Sequence, residues 1–501
     1  MSKVKNTRWR RWIPELASAL QPTIRNSGKG YLVITYRKWR DHVDVRMAPG
    51  GSYADTQIVM VGKMIKAQLI RRVCIPAMAA IVATAAQAED APPKPPSDEA
   101  KAPYQSGYGD APGFGGPSSV SEELRESNET RSSLYQFDSL QRTFGPWFDW
   151  KRKLNEDHGF TLGVNAYWLY QAASGSMIDD DDAFGGIYRL QGSWTAFGRG
   201  TGHAGSLEWR IENRSEAFSQ LAPQSLAAAL GTTSLNTGFG YSDNFDTDLA
   251  VFNWTQRFND GRSAVAVGRL AFDAYLDAFP FQTFSRGFIN RSFLVNPTLA
   301  TTGIGALGMV AKGFVSSNIW LGGQVYDGNA VSGDFDSDTF DEHEWLKSVE
   351  IGWTPSMESR NRERIQFTWW EKDARRAAGI PAGQGWTASA TYQWNERWQP
   401  FVRLGHSDGG AGVAAEDAAS IGVEIKPRMD QVWSVGLGWA KPSRKTHGPG
   451  LDNETVIETS YKFQLSPNFS LTPDLQYVRN PAKNPGQSSV LVGGVRAILT
   501  L

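Results

Sequence analysis

The chain has 501 residues, with 51 basic and 52 acidic side chains, a single cysteine, 51 glycines and 19 tryptophans. Its mean hydropathy is −0.39, and beyond the N-terminal region no run of about 18 consecutive apolar residues occurs, which argues against helical membrane spans. The length suits either one large barrel or two to three soluble domains.

Residues 1–63 carry 12 Lys+Arg against 4 Asp+Glu, and Arg8–Trp12 reads RWRRW. Such a basic, tryptophan-containing patch suits nucleic acid or a membrane surface. The plainer reading takes Met64 as the natural start and 1–63 as upstream sequence. From Met64 the chain reads MIKAQLIRRVCIPAMAAIVATAAQAED. Lys66, Arg71 and Arg72 make a basic head, Val73–Ala85 an apolar stretch, and Ala86-Gln87-Ala88 a small-x-small cleavage site. Residues 64–88 therefore read as a signal peptide, cleaved after Ala88.

Cys74 lies inside this leader, and RRVC lacks the small residues of a lipobox, so the exported chain has no thiol chemistry. It keeps 36 basic against 48 acidic residues, a net charge of −12. No nucleic-acid partner is expected for so acidic a product.

Residues 89–143, rich in Pro, Ser, Gly and Glu as far as 133, read as a disordered linker. FGPWFDWKRKLNEDHG then places Trp147, Trp150 and Leu154 on one side of a short periplasmic helix over 144–157, ended by Gly159. A barrel is expected over 158–501.

Sixteen candidate strands follow: 159–171, 186–198, 205–214, 248–258, 263–272, 305–314, 318–326, 345–353, 363–371, 386–394, 398–406, 418–426, 431–440, 454–465, 468–478 and 489–501. The tenth shows the pattern plainly. In GWTASATYQW, Trp386, Ala388, Ala390, Tyr392 and Trp394 alternate with Thr387, Ser389, Thr391 and Gln393, a period of two with two unlike faces. A soluble sandwich and a membrane barrel both produce such a strand.

The connectors separate the two. Short turns such as NDGR, SSN, NER and SPN alternate along the chain with long loops, as in barrels with turns at one rim and loops at the other. The faces agree. Leu207, Trp209 and Ile211 alternate with Glu208, Arg210, Glu212 and Arg214; Ile457, Thr459, Tyr461 and Phe463 with Glu458, Ser460, Lys462 and Gln464; and Phe469, Leu471, Leu475 and Tyr477 with Ser470, Thr472, Asp474 and Gln476. One face suits lipid and its interfaces, the other a water-filled lumen.

The fold class expected is all-β: a 16-stranded antiparallel transmembrane β-barrel with a flexible N-terminal periplasmic segment. Its lumen is open unless loops fold into it. The chain ends on strand pattern, at Leu491, Val495, Leu499 and Leu501, which fits closure onto the first strand. Outer-membrane proteins usually end on an aromatic residue, and this one ends on leucine.

ETSYKFQLSPNFSLTPDLQYVRNPAKNPGQSSVLVGGVRAILTL (458–501) resembles the C-terminal signature of the carbohydrate-selective porins, the OprB-type family, chiefly through PDLQYVRNP and GGVRAILTL. FGPWFDWKRKLNEDHGFTLGVNAYW is similar to that family's entry into its first strand. VAVGRLAFDAYLDAFPFQTFSRGFINRSFLVNP resembles its strand and inward-folding third loop. The resemblance covers 144–501. It implies a single-channel barrel in a Gram-negative outer membrane, facilitated diffusion of sugars, and a narrowing formed by inward loops.

A passive sugar channel needs no acid, base or nucleophile, and no cofactor. It needs groups that replace part of the hydration of many hydroxyls weakly enough to let go. Arginine and carboxylates make paired hydrogen bonds to vicinal hydroxyls, and aromatic rings stack on a pyranose. The third long loop supplies Phe284, Arg286, Phe288, Asn290, Arg291 and Phe293. Arg269, in the strand before it, is assigned to the lumen by its charge and to lipid by its neighbours Val265 and Val267.

Other walls supply Arg189, Glu208, Arg210, Glu212, Arg403, Glu424, Glu458 and Lys462. Each has a competing reading as a solvated charge or a cross-strand pair that stiffens the wall. Asp179–Asp182 could hold a divalent ion or form a solvated loop facing lipopolysaccharide, and the second is preferred. The five histidines after Ala88 are scattered, and HExxH, CxxC and P-loop patterns do not occur.

Sugars are thus the expected solutes, with outer-membrane lipid and lipopolysaccharide as surroundings. Homo-oligomer and monomer both remain open. A general or anion-preferring porin, a barrel enzyme and a secreted soluble β-protein are the alternatives.

Overall fold

A computed structural model describes the backbone of residues 22–26, 32–38 and 41–47 and residues 115–128, 131–216, 219, 221–243, 245–332 and 342–501, the last with side chains except at 138, 141 and 245. It divides into two units, residues 1–76 and 77–501. In the first, β1 (Pro22–Asn26), β2 (Leu32–Lys38) and β3 (Asp41–Met47) form an antiparallel sheet in that order. The leader over 64–88 and the linker as far as residue 114 lie outside the described residues.

The second unit is a closed barrel of sixteen antiparallel strands. They are β4 (Phe160–Ala173), β5 (Asp182–Phe197), β6 (Gly205–Glu216), β7 (Phe245–Phe258), β8 (Ser263–Leu270), β9 (Ala306–Phe314), β10 (Ile319–Asp327), β11 (Trp345–Trp353), β12 (Arg364–Lys372), β13 (Gly383–Thr391), β14 (Trp398–Ser407), β15 (Ala415–Arg428), β16 (Gln431–Pro442), β17 (Glu454–Ser466), β18 (Phe469–Arg479) and β19 (Ser489–Thr500). Each pairs with the next, and β19 closes onto β4, Val492 opposite Ala173 and Thr500 opposite Asn165. Closure leaves no strand edge unpaired, the condition for a sheet to sit in lipid. Among the described residues no helix is long and apolar enough to cross a membrane.

All sixteen strands fall where alternation places them. Their faces sort as expected. Ile211, Leu404, Ile421, Leu437 and Ile457 are exposed on the outside, while Glu208, Arg210, Glu212, Ser460 and Gln476 are buried inside. Trp194, Phe197, Phe258, Trp353 and Trp398 are exposed at the short-turn rim, the aromatic belt of a membrane interface.

Two helices precede the barrel. α1 (Val120–Asn128) and α2 (Asp138–His158) both correct the sequence reading. The linker expected over 89–143 is ordered from residue 115, because Ser119 caps α1, its Oγ accepting from the Glu122 N–H, and Val120 and Leu124 are buried. α2 begins six residues before the expected 144 and ends as expected at Gly159, where a φ of +74° and the Thr195 carbonyl oxygen 2.9 Å from the place of a Cβ favour glycine.

Two long loops turn into the barrel. The first, between β6 and β7, contains α3 (Pro223–Leu230) and buries Leu226, Leu230, Leu235 and Tyr241. The second, between β8 and β9, is the inward loop that the resemblance implies. It carries a 3₁₀ turn (Phe272–Ala274) and α4 (Arg291–Leu294), capped by the Asn290 side chain, which accepts from the Ser292 N–H.

Candidate functional site

The β8–β9 loop is a compact apolar body surrounded by charged wall. Phe279, Phe281, Phe288 and Phe293 pack on one another and on Phe401, a large apolar residue that β14 turns inward, with ring centroids 4.7–6.2 Å apart. All five rings are buried. Phe288 and Phe293, expected to offer faces to a sugar, thus serve as the loop's core.

The carboxylates and cations of the wall hold that body in place. Glu458, fully buried, accepts from the Ile289 N–H at 2.6 Å and the Asn290 N–H at 3.0 Å. Glu424 accepts from the Gly287 N–H at 3.2 Å and pairs with Arg286 at 2.6 Å. Lys462 donates to the Ser285 carbonyl at 2.7 Å. Arg403 pairs with Asp277 at 2.7 Å and donates to the Leu294 carbonyl at 3.2 Å. Asn290 reaches Gln476 on β18 at 2.9 Å. A loop of irregular backbone needs such partners, since buried N–H and C=O groups must be paired.

Sequence reasoning missed five contributors. Asp277 gathers Arg403, Gln366 at 3.0 Å and Thr387 at 2.8 Å. Arg496 on β19 donates to the carbonyls of Arg286, Gly287 and Phe288. Lys312 and Glu350 meet at 3.0 Å. Glu454 accepts from the N–H groups of Thr233, Ser234 and Leu235 and so pins the β6–β7 loop. The lumen parity of these residues was readable for the wall members, but their loop partners lie more than a hundred residues away in most cases.

A second cluster lies on β5 and β6. Arg189 donates to Glu212 at 2.5 Å, and Glu212 also accepts from Arg214 at 2.6 Å. Phe284 lies beside this group, 5.2 Å from the Arg189 guanidinium and 5.8 Å from that of Arg214. Arg210 and Glu208, further along β6, are buried against α1. Arg269 belongs with the buried charges: Gly268, at φ +136°, breaks the alternation, and Arg269 pairs with Asp248 while Val267 stays outside.

Of the two arginines singled out in the inward loop, Arg286 is fully engaged. It donates to Glu424 and to the Gln399 side-chain oxygen, each at 2.6 Å, and lies 4.3 Å over the Phe281 ring. Arg291 differs. It lies 5.4 Å from the Phe239 ring and has no carboxylate partner among the described residues; its Nε is buried without a hydrogen-bond partner. Burial pushes it down to about 10, still charged at neutral pH. It is therefore a cation in the loop with bonding capacity to spare.

Residues 363–501 match the model of the carbohydrate-selective porin, OprB family. The eight C-terminal strands carry the OprB sequence pattern. For the whole barrel the likeness is structural. Pseudomonas putida OprB, solved at high pH, superposes with a TM-score of 0.56 at 14% identity, over 71% of this chain and 97% of that one. A mutant of Rh. blastica porin gives a TM-score of 0.43 at 13% identity, over 68% of this chain and 100% of that one. No curated protein matches. The chain thus has the closed porin-type barrel, with the OprB pattern on its last eight strands.

Proposed function

We propose that this protein is an outer-membrane channel for facilitated diffusion of carbohydrates, with monosaccharides such as glucose as its solutes. The observation that carries the reading is the match of β12–β19 to the carbohydrate-selective porin model, on a barrel whose lumen is narrowed by an inward loop lined with polar and charged groups. The short-turn rim then faces the periplasm, the long loops face outside, and lipid and lipopolysaccharide surround the belt of aromatic residues.

Among the expected sugar contacts, Arg291 is best placed by its spare donors, with Arg286 beside it if Glu424 shares it. Multiple weak donors of this kind suit a ligand that must bind and leave. Liposome swelling tests the reading: vesicles carrying the protein should swell faster in isotonic glucose than in a zwitterionic amino acid of similar size. Equal rates would reduce the function to unspecific diffusion.

One observation favours a second reading. The unpaired charge of Arg291 would attract an anion as well as a hydroxyl, as in an anion-preferring porin. Reversal potentials in a salt gradient separate the two.

A further inference from the structure

The segment ahead of the barrel does not stay outside it. α1 lies within the lumen and touches two separate parts of the wall and the inward loop. On one side, Glu123 accepts from Arg189 at 2.6 Å, Gln191 at 2.9 Å and Arg210 at 3.2 Å, on β5 and β6. On another, Glu122 pairs at 3.1 Å with Arg360, in the turn between β11 and β12. Glu126 accepts from Ser285 of the inward loop at 2.8 Å. Burial pushes Glu126 up, but Arg131, Lys462 of β17, Ser285 and Arg286 outweigh it and hold the carboxyl below its ordinary range. Leu124 meets Gly163 on β4. Ahead of the helix, Gly116 donates to the Ala274 carbonyl at 2.6 Å and Ser118 to that of Asp273 at 3.0 Å, so the segment also abuts the inward loop.

We propose that residues 115–128 are a plug that the chain seats in its own lumen by charge, and that must leave for the channel to conduct fully. This inference rests on the channel reading above and adds its regulation. Two features distinguish the segment from a fixed part of the wall.

The barrel is complete without it: no strand-to-strand hydrogen bond involves residues 115–128. A nine-residue helix has little stability of its own away from its contacts. The groups that hold it also keep other partners. When Glu123 leaves, Arg189 retains Glu212 at 2.5 Å and Arg210 retains the Gln191 oxygen at 2.8 Å; when Glu122 leaves, Arg360 retains the Met357 carbonyl at 3.0 Å. Departure therefore leaves Arg189 on a carboxylate and Arg210 and Arg360 each on an oxygen acceptor, whereas loss of the inward loop would take from Glu458 and Glu424 the backbone N–H groups, and from Arg403 the carboxylate, that they hold. The apolar hold is limited to a few side chains, Val120 and Leu124 foremost.

The test is single-channel current through the protein purified from membranes in detergent, with a variant lacking residues 115–128. The deletion is expected to raise conductance at least twofold. Glu122→Gln with Glu123→Gln, which keeps the chain intact, is expected to increase the time spent at the larger conductance. For the opposite effect, Gly116→Cys with Ala278→Cys in a Cys74→Ser background would tie the plug to the loop; a Cβ on Gly116 would lie 2.6 Å from that of Ala278, within about an ångström of cystine geometry. The oxidised pair should stay at the low level and reductant should free it.

Equal conductance in the parent, the deletion and the double glutamine variant would overturn the plug. If those equal pores were still blocked by glucose, the sugar-channel reading would survive alone. Absence of current from every variant would overturn both.

Discussion

Arg403 and Asp277 meet 2.7 Å apart, each side chain 1% exposed, and join the wall of β14 to the heart of the inward loop. Removing one partner leaves the other charge buried, at a typical cost of about 3–5 kcal/mol. Asp277→Ala and Arg403→Ala are each expected to lower the thermal unfolding midpoint and to make the open-channel current noisier as the loop loosens. The double variant should cost much less than the two single losses combined. Strict additivity would show that the pair does not act as a unit.

The outer face makes a depth-dependent expectation. Ile421 lies near the middle of β15 and is 56% exposed, while Tyr392 follows the short-turn end of β13 and is 57% exposed. Arginine at a lipid-facing midplane position costs ~2–4 kcal/mol, and at an interface ~0–1 kcal/mol. In denaturant titrations in lipid vesicles, Ile421→Arg should therefore be clearly less stable than Tyr392→Arg. Equal stability of the two would mean that this face does not meet lipid.

Lys151 on α2 gives a pH dependence. Its side chain is fully buried, its Nζ has no hydrogen-bond partner, and the Phe148 and Trp147 rings lie 5.2 and 5.9 Å away. Burial pulls it from 10.5 down to about 8. Between those values the unfolded chain binds the proton and the folded chain does not, so stability should rise from pH 8 to pH 10.5. Below pH 8 the buried charge costs about 3 kcal/mol. Lys151→Met should raise the unfolding midpoint at pH 7, and its advantage should vanish by pH 10.5. A constant advantage across that range would place the effect in packing instead.

The two loop arginines should differ in kind. Arg291→Ala removes spare donors and is expected to raise the half-blocking glucose concentration about tenfold, the worth of one charged hydrogen bond of ~1.5 kcal/mol. Arg286→Ala also releases Glu424 and the Gly287 N–H that Glu424 holds, so it should alter basal conductance as well as block. Unchanged block in both variants would remove them from the sugar path.

How much of this was readable in the sequence follows from the range of each interaction. Alternation is local, so strands such as Gln431–Pro442 and Phe469–Arg479 emerged within a few residues of their bounds. Arg269 resisted because one glycine, at position 268, reverses the parity on which the reading depends. The lumen charges were correctly turned inward, but their work was not legible. Glu458 meets the backbone of residues 289 and 290, 169 and 168 positions away, and nothing in its own strand indicates that.

The helix α1 was hidden differently. Ser119-x-x-Glu122 is a helix-start pattern, yet it sits in a stretch whose Pro, Ser and Gly content reads as linker. Its Glu123 acquires meaning only beside Arg189 and Arg210, its Glu122 beside Arg360 and its Glu126 beside Ser285.

The most direct measurement is single-channel current in a planar bilayer while glucose is titrated. The account expects a stable pore whose current falls with glucose concentration and saturates, as a sugar-binding narrowing requires. A stable pore indifferent to glucose at every concentration would contradict it, leaving the barrel but not glucose as its solute.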